Sequence, residues 1–179
     1  EPTLGAKLTG KTGDHSYALM LADDDNSNIL LPTNQGSGFA SLNEKTNAAA
    51  GRYQYDLGQQ GTIGISSTHR ESDDYHNTVL SVDGSYWFNQ SDTLLYQVSS
   101  ANTREFTRDK RDYKLFSSYE NIGQDYRTDL GYQAKVDYEK VGFGGGQTWY
   151  RDESDLLTSW SYEADWDKTW AQNGDLLEE

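Results

Sequence analysis

The sequence predicts an all-β fold, an antiparallel up-and-down meander of about ten strands. Three observations carry that expectation. Apolar spacing at three and four residues is hard to find, whereas β-formers such as Tyr, Trp, Thr and Val dominate the ordered stretches. Apolar and polar side chains alternate with period two, the signature of strands with two unlike faces. The runs are separated by polar connections that alternate between short and long.

In chain order the strands are expected at 4–12, 16–22, 48–57, 61–70, 77–88, 93–104, 112–122, 126–133, 136–150 and 156–168. The third shows the pattern plainly, with Tyr53, Tyr55 and Leu57 on one face and Arg52, Gln54 and Asp56 on the other. From 126 to 138, Tyr126, Thr128, Leu130, Tyr132, Ala134, Val136 and Tyr138 alternate with Arg127, Asp129, Gly131, Gln133, Lys135 and Asp137. The alternation crosses 133–135 unbroken, so the eighth and ninth strands read equally as one long strand. In the last strand Thr158, Trp160, Tyr162, Ala164 and Trp166 alternate with Ser159, Ser161, Glu163, Asp165 and Asp167.

Connections after odd-numbered strands are tight: Gly13-Asp14-His15, Gly58-Gln59-Gln60, Asn89 to Asp92, Gly123-Gln124-Asp125 and Arg151 to Asp155. Those after even-numbered strands are mostly longer, about 23–47, 71–76 and 105–111. Short turns at one end and long charged loops at the other are the layout of an outer-membrane barrel. Both prolines, Pro2 and Pro32, fall outside the strands, as a fully hydrogen-bonded sheet requires. No linker divides the chain, so 1–179 reads as a single all-β unit with 23–47 as its long polar loop.

Composition sharpens this. Leu, Ile, Val and Phe number 31 of 179 residues and the net charge is −14, values typical of disordered chains. Thirteen Tyr, five Trp and five Phe contradict disorder, because such rings bury large apolar areas. The acidic balance excludes a basic nucleic-acid surface. Without Cys there is no disulfide, no thiolate-bound zinc and no thiol catalysis. No apolar run is long enough for a membrane helix, but a barrel strand needs only about ten residues, apolar at alternate positions.

A sheet with one aromatic face and one charged face has two solutions. A soluble sandwich buries the aromatic face against a second sheet. A membrane barrel turns it toward lipid and keeps the polar face in the lumen. The aromatics lean toward the second: Trp149 and Tyr150 end a strand, and Trp160, Tyr162, Trp166 and Trp170 cluster near another, as interfacial girdles would. In a lumen, Arg52, Gln54, Asp56, Arg127, Asp129, Gln133, Lys135 and Asp137 form mixed-sign rows that set pore electrostatics or brace a plug.

Catalytic and metal-binding patterns are missing. His15, His69 and His76 form no His-Glu-x-x-His pair and read as solvated histidines. Asp23, Asp25 and Ser27 resemble the first half of a calcium loop but lack its glycine and closing Glu. Gly142-Phe143-Gly144-Gly145-Gly146 is followed by no Lys and no helix, so it reads as strand glycines marking a bend, a bulge or a bare patch across which a neighbouring aromatic can lie, not as a phosphate loop. Nothing in the acid spacing selects a hydrolytic carboxylate pair, and no Gly-x-Ser-x-Gly elbow is present. The expectation is a non-enzyme without cofactor or metal.

Gly5-Ala6-Lys7-Leu8-Thr9-Gly10-Lys11-Thr12-Gly13 resembles the opening of a C-terminal outer-membrane β-barrel family of Gram-negative bacteria, found after a family 9-type carbohydrate-binding module. Tyr55-Asp56-Leu57-Gly58, Gly61-Thr62-Ile63-Gly64, Asp74-Tyr75-His76-Asn77, Asp83-Gly84, Ser118 to Gly123 and Asp125 to Tyr132 extend the resemblance over nearly the whole chain. Position 134, often Pro in that pattern, is Ala134 here. The resemblance implies an outer-membrane barrel segment, with membrane lipid and the rest of the same barrel as partners, and a role in solute passage or surface display. A saccharide is the solute class it suggests; it supplies no catalytic residues. The absence of a leader and of a terminal aromatic leads to the expectation of an internal fragment of a longer protein. The alternatives are a soluble β-sandwich module stacking sugars on its Tyr and Trp face, or a surface β-protein that assembles through open strand edges.

Overall fold

The computed structural model describes residues 3–25, 27–42, 45–73, 75–99, 101–127, 133–151 and 158–179. Their strands are β1 (Leu4–Thr12), β2 (His15–Asp24), β3 (Ser27–Pro32), β4 (Ser37–Leu42), β5 (Thr46–Asp56), β6 (Gly61–Glu71) and β7 (His76–Trp87). There follow β8 (Asp92–Val98), β9 (Ala101–Asp109), β10 (Tyr113–Ile122), β11 (Tyr138–Tyr150), β12 (Ser159–Ala171) and β13 (Leu176–Glu178). Eleven form one sheet in the order β1-β2-β5-β6-β7-β8-β9-β10-β11-β12-β13, while β3 and β4 make a separate hairpin. Neighbours pair antiparallel throughout, so the predicted all-β meander is the observed architecture. The sheet is open, ending at β1 on one side and at β12 and β13 on the other.

Several expected boundaries need correction. The strand expected at 93–104 is two, β8 and β9, because the chain reverses at Ser99. The Ser99 amide donates to Ala101 O at 2.9 Å, and the Ser99 hydroxyl accepts from the Ala101 amide at 3.0 Å, a serine-sealed turn with no Gly or Pro. β9 then runs through most of the expected loop 105–111. The strand expected at 126–133 is absent among its described residues: Tyr126, Arg127 and Gln133 lie in the connection between β10 and β11, and 128–132 fall outside the described residues. The ninth expected strand begins at Tyr138 rather than 136, because Asp137 takes a left-handed backbone conformation (φ 65°) that ends any extended run through it. The polar loop expected over 23–47 carries the β3–β4 hairpin.

The two ends of the sheet are unequal chiefly through two long connections, β2 to β5 and β10 to β11. The ends at which β1–β2, β5–β6, β7–β8, β9–β10 and β11–β12 follow one another form the turn end; those at which β2–β5, β6–β7, β8–β9, β10–β11 and β12–β13 follow one another form the loop end. The β1–β2 link at the turn end passes through Gly13 (φ 57°), a conformation an L side chain resists.

The small apolar core sits at the loop end, where Ala101, Ile122, Tyr126 and Val136 are buried together against Val79 and Tyr138. Val79, Ala101, Ile122 and Tyr138 come from β7, β9, β10 and β11, whereas Tyr126 and Val136 come from the 123–137 connection. The described residues of that connection therefore fold back across one face of the sheet. Asn77 Nδ2 on β7 donates to Arg127 O at 3.2 Å. The Val136 amide donates to Thr33 O at 3.1 Å within a parallel bridge between Thr33 and Lys135, which ties the turn of the β3–β4 hairpin to the same segment.

Candidate functional site

Directly opposed residues on paired strands share a face, so the register divides the sheet into two surfaces. One row runs Tyr17, Tyr53, Ile65, Val82, Val98; the row beside it runs Ala18, Arg52, Ser66, Ser81. Extended across the sheet, the first face carries Leu4, Leu8, Leu19, Ile63, Leu80, Leu115, Phe143, Trp149, Trp160, Tyr162 and Trp166, all exposed. The second carries Thr46, Arg70, Ser81 and Thr169, all buried, beside Arg52, Asp83, Glu105, Glu120, Lys140 and Asp167. The contrast inverts a water-soluble sheet: Leu80 is 60% and Tyr162 64% exposed, while Ser81 and Arg70 are each 7%. Met20, Trp87 and Leu95 are exposed apolar side chains on the polar face.

The polar face is hollow. A cavity of about 340 Å³ spans β5 to β9 and is lined by Arg52, Ser66, Ser81, Asp83, Gln97, Thr103 and Glu105. Its floor is organised by a fork of two hydrogen bonds, in which Arg52 Nη1 and Nη2 donate to Asp83 Oδ2 and Oδ1 at 2.6 and 2.5 Å. Arg52 is on β5 and Asp83 on β7, so the guanidinium must pass over β6. Gly64 makes room: a Cβ there would lie 3.2 Å from both Arg52 Nη2 and Asp83 Oδ1. The fork also fixes the planar group in the orientation a bidentate pair demands. Arg52 Nη2 further donates to Gln54 Oε1 at 3.3 Å, and the Ser66 and Ser81 hydroxyls bond at 2.6 Å.

A second cavity, about 500 Å³, lies at the loop end between the hairpin turn Asn34-Gln35 and the polar face of β10 to β12. Tyr138 Oη donates to Glu120 Oε2 at 2.8 Å, and Lys140 Nζ pairs with Asp167 Oδ2 at 2.9 Å. Between these strands β11 turns Gly142, Gly144 and Gly146 to the polar face, and the Phe116 ring of β10 lies across Gly144, whose Cβ would meet it at 2.5 Å. The glycines are thus the bare patch under an aromatic that the sequence suggests.

The exposed face is zoned along its height. Toward the turn end stand Tyr17, Tyr55, Tyr86, Phe106, Trp149 and Trp160; toward the loop end stand Asp23, Asn47, Glu71, Asn102, Asn121 and Glu139. Trp149 and Trp160 stack at 3.9 Å between centroids, and Phe143 meets Trp166 at 5.0 Å.

Of the residues singled out from sequence, Arg52, Gln54 and Asp56 share the polar face of β5. Arg127, Gln133, Lys135 and Asp137 are brought to the folded-back 123–137 segment instead of a strand face, and Asp129 lies outside the described residues. Trp149, Trp160, Tyr162, Trp166 and Trp170 are on the exposed face, Trp170 at the loop end with Lys168 Nζ 5.7 Å from its ring. Tyr150 is on the polar face, where its hydroxyl donates to Arg111 O at 2.8 Å under the Arg111 guanidinium. Asp83, Gln97, Glu105, Glu120, Lys140 and Asp167 were not singled out, although Asp83 alternates with Val82 and Leu80 in the same period-two sense that marks Arg52.

Among the described residues no group of three or more His, Asp or Glu is placed to hold a metal ion, and no helix is long and apolar enough to cross a membrane, which says nothing of strands. No protein-family model, curated protein or solved structure matches the chain.

Proposed function

We propose that the chain is a segment of an outer-membrane β-barrel whose apolar face meets lipid and whose polar face lines an aqueous interior for passage or surface display of a small hydrophilic solute. The observation that carries this reading is the inversion of exposure along one continuous sheet: Thr46, Arg70, Ser81 and Thr169 are buried on the polar face, whereas Leu8, Leu80, Phe143 and Tyr162 stand uncovered on the other, which also carries the Asp92–Arg108 pair at its turn end. Exposed apolar surface on this scale needs a non-aqueous partner. Among the described residues the only other sheet is the two-stranded β3–β4 hairpin, too small to be the second layer of a sandwich.

The zoning gives the chain an orientation. The ring of Tyr, Phe and Trp at the turn end fits one lipid–water boundary, and the charged belt at the loop end fits water beyond the other. The loop end then holds the β3–β4 hairpin and the 123–137 segment over the interior as a partial plug. The hydroxyl-rich cavity around the Arg52–Asp83 fork suits a neutral polyhydroxyl solute, and a saccharide is the class the family resemblance adds.

Reconstitution tests the reading. The chain added to phospholipid vesicles is expected to become protease-resistant and co-float with them, and to admit uncharged sugars in a swelling assay. A monodisperse monomer in detergent-free buffer that ignores vesicles would support the soluble sugar-binding module instead.

A further inference from the structure

We propose that Arg70 holds a small oxyanion, a carboxylate or a phosphate group, in a niche on the polar face near the loop end. The inference is independent of the medium that meets the apolar face. Arg70 on β6 is only 7% exposed, and among the described residues no carboxylate pairs with it and no group hydrogen-bonds its side chain. Arg52 and Arg108 are both more exposed, yet each meets an aspartate. A guanidinium keeps its proton in a protein, so it cannot escape burial by turning neutral, and a buried ion needs a counter-charge.

The register supplies none. From β1 to β7 the row through Arg70 reads Gly5, Ala22, Ala48, Arg70, Asn77, without an acid. The nearest acid on that face, Asp24, is one pair nearer the loop end and two strands away on β2. The neighbour on β7 brings a second cation instead: Asn77 Nδ2 donates to Arg127 O at 3.2 Å, and Arg127 Nη1 donates to Gln124 O at 2.9 Å and Tyr126 O at 2.8 Å, meeting no carboxylate among the described residues. The niche has room. Among the described residues every sealed side-chain nitrogen or oxygen has a hydrogen-bond partner, so the unpartnered nitrogens of Arg70 border space that solvent reaches. On β1, β2 and β5 the row is floored by one glycine and two alanines, and a Cβ added at Gly5 would meet only Leu21 O, at 3.7 Å. Two parallel N–H donors in a fixed plane match an oxyanion better than a spherical halide.

Exchanging sodium chloride for sodium acetate or sodium phosphate at constant ionic strength tests the site in the full chain, in vesicles or in buffer. The urea midpoint is expected to rise saturably with one or both oxyanions, the folded-to-unfolded ratio growing about 100-fold at 100 times the dissociation constant. A rise with acetate alone identifies a carboxylate site, and a rise with phosphate alone a phosphate site. Arg70→Gln is expected to abolish the rise, and Arg70→Lys, which keeps the charge but loses the fork, to weaken it. Phenylglyoxal labelling of the unsubstituted chain reads the site without a variant: the effective oxyanion is expected to slow the adduct at Arg70 and to leave that at the exposed Arg111 unchanged. No saturable rise with either anion, an equal rise in the Arg70 variants, or labelling of Arg70 indifferent to both anions overturns the proposal.

Discussion

Val82→Arg separates a lipid-facing sheet from a water-facing one. Val82 lies midway along the apolar face of β7, between Ile65 on β6 and Val98 on β8, and is 40% exposed. At roughly 25 cal/mol per Å² its uncovered surface gains on the order of 1 kcal/mol by entering hydrocarbon. A guanidinium there costs about 2–4 kcal/mol near the bilayer midplane, so the folded-to-unfolded ratio in vesicles falls about 30- to 1,000-fold. In water an exposed strand position tolerates the same change within about 0.5 kcal/mol. Gln97→Arg on the polar face of β8, opposite Asp83, supplies the comparison and is expected to stay within about 0.5 kcal/mol in either medium. Urea titrations of vesicle-bound protein, followed by the fluorescence of the five Trp, measure both. A Val82→Arg midpoint equal to that of the unsubstituted chain in vesicles would refute lipid exposure of this face.

Asp83→Asn leaves the half-exposed Arg52 guanidinium without its bidentate acceptor and is expected to cost about 1–2 kcal/mol, above the range of fully exposed pairs; a double-mutant cycle with Arg52→Ala reads the coupling. Gly64→Leu puts a side chain where the guanidinium crosses β6 and should abolish that coupling without removing either ion. Gly144→Val meets the Phe116 ring and Ala164 O and should destabilise by about 1–3 kcal/mol, seen as a lower urea midpoint, whereas Gly13→Ala perturbs only the β1–β2 turn. Val136→Ala hollows the loop-end core, where Val136 is 2% exposed, and is expected to cost about 1–3 kcal/mol and to speed sugar entry in the swelling assay.

The period-two pattern made most of the fold legible, because one residue of drift would have exchanged the faces of Tyr53 and Arg52. It failed where alternation was not the deciding signal. The turn at Ser99 uses a serine hydroxyl in place of the glycine that marks most reversals, so two strands read as one. Between 126 and 138 the alternation is real, but Tyr126 and Val136 find burial against Ile122 and Ala101, and the chain needs no strand to hide them. The sheet has ten long strands, the number expected, although β8 and β9 were read as one and the described residues of 126–133 lie in no strand. The mixed-sign polar face was readable on β5, whereas the Arg52–Asp83 fork was not, since it depends on which strands lie two apart and on a glycine between them. Tyr150 ends β11 as expected from the sequence, and it turns to the face opposite Trp149 because neighbouring positions on a strand point to opposite faces.

The bond from Val136 to Thr33 spans more than half the chain. Local hairpins such as β1–β2 have everything they need within a few residues, but this clasp must wait until β10 and β11 exist and have met. It is therefore expected to be the last contact made during folding and among the first released. The amides at its two halves should lose hydrogen-exchange protection together, ahead of the central strands.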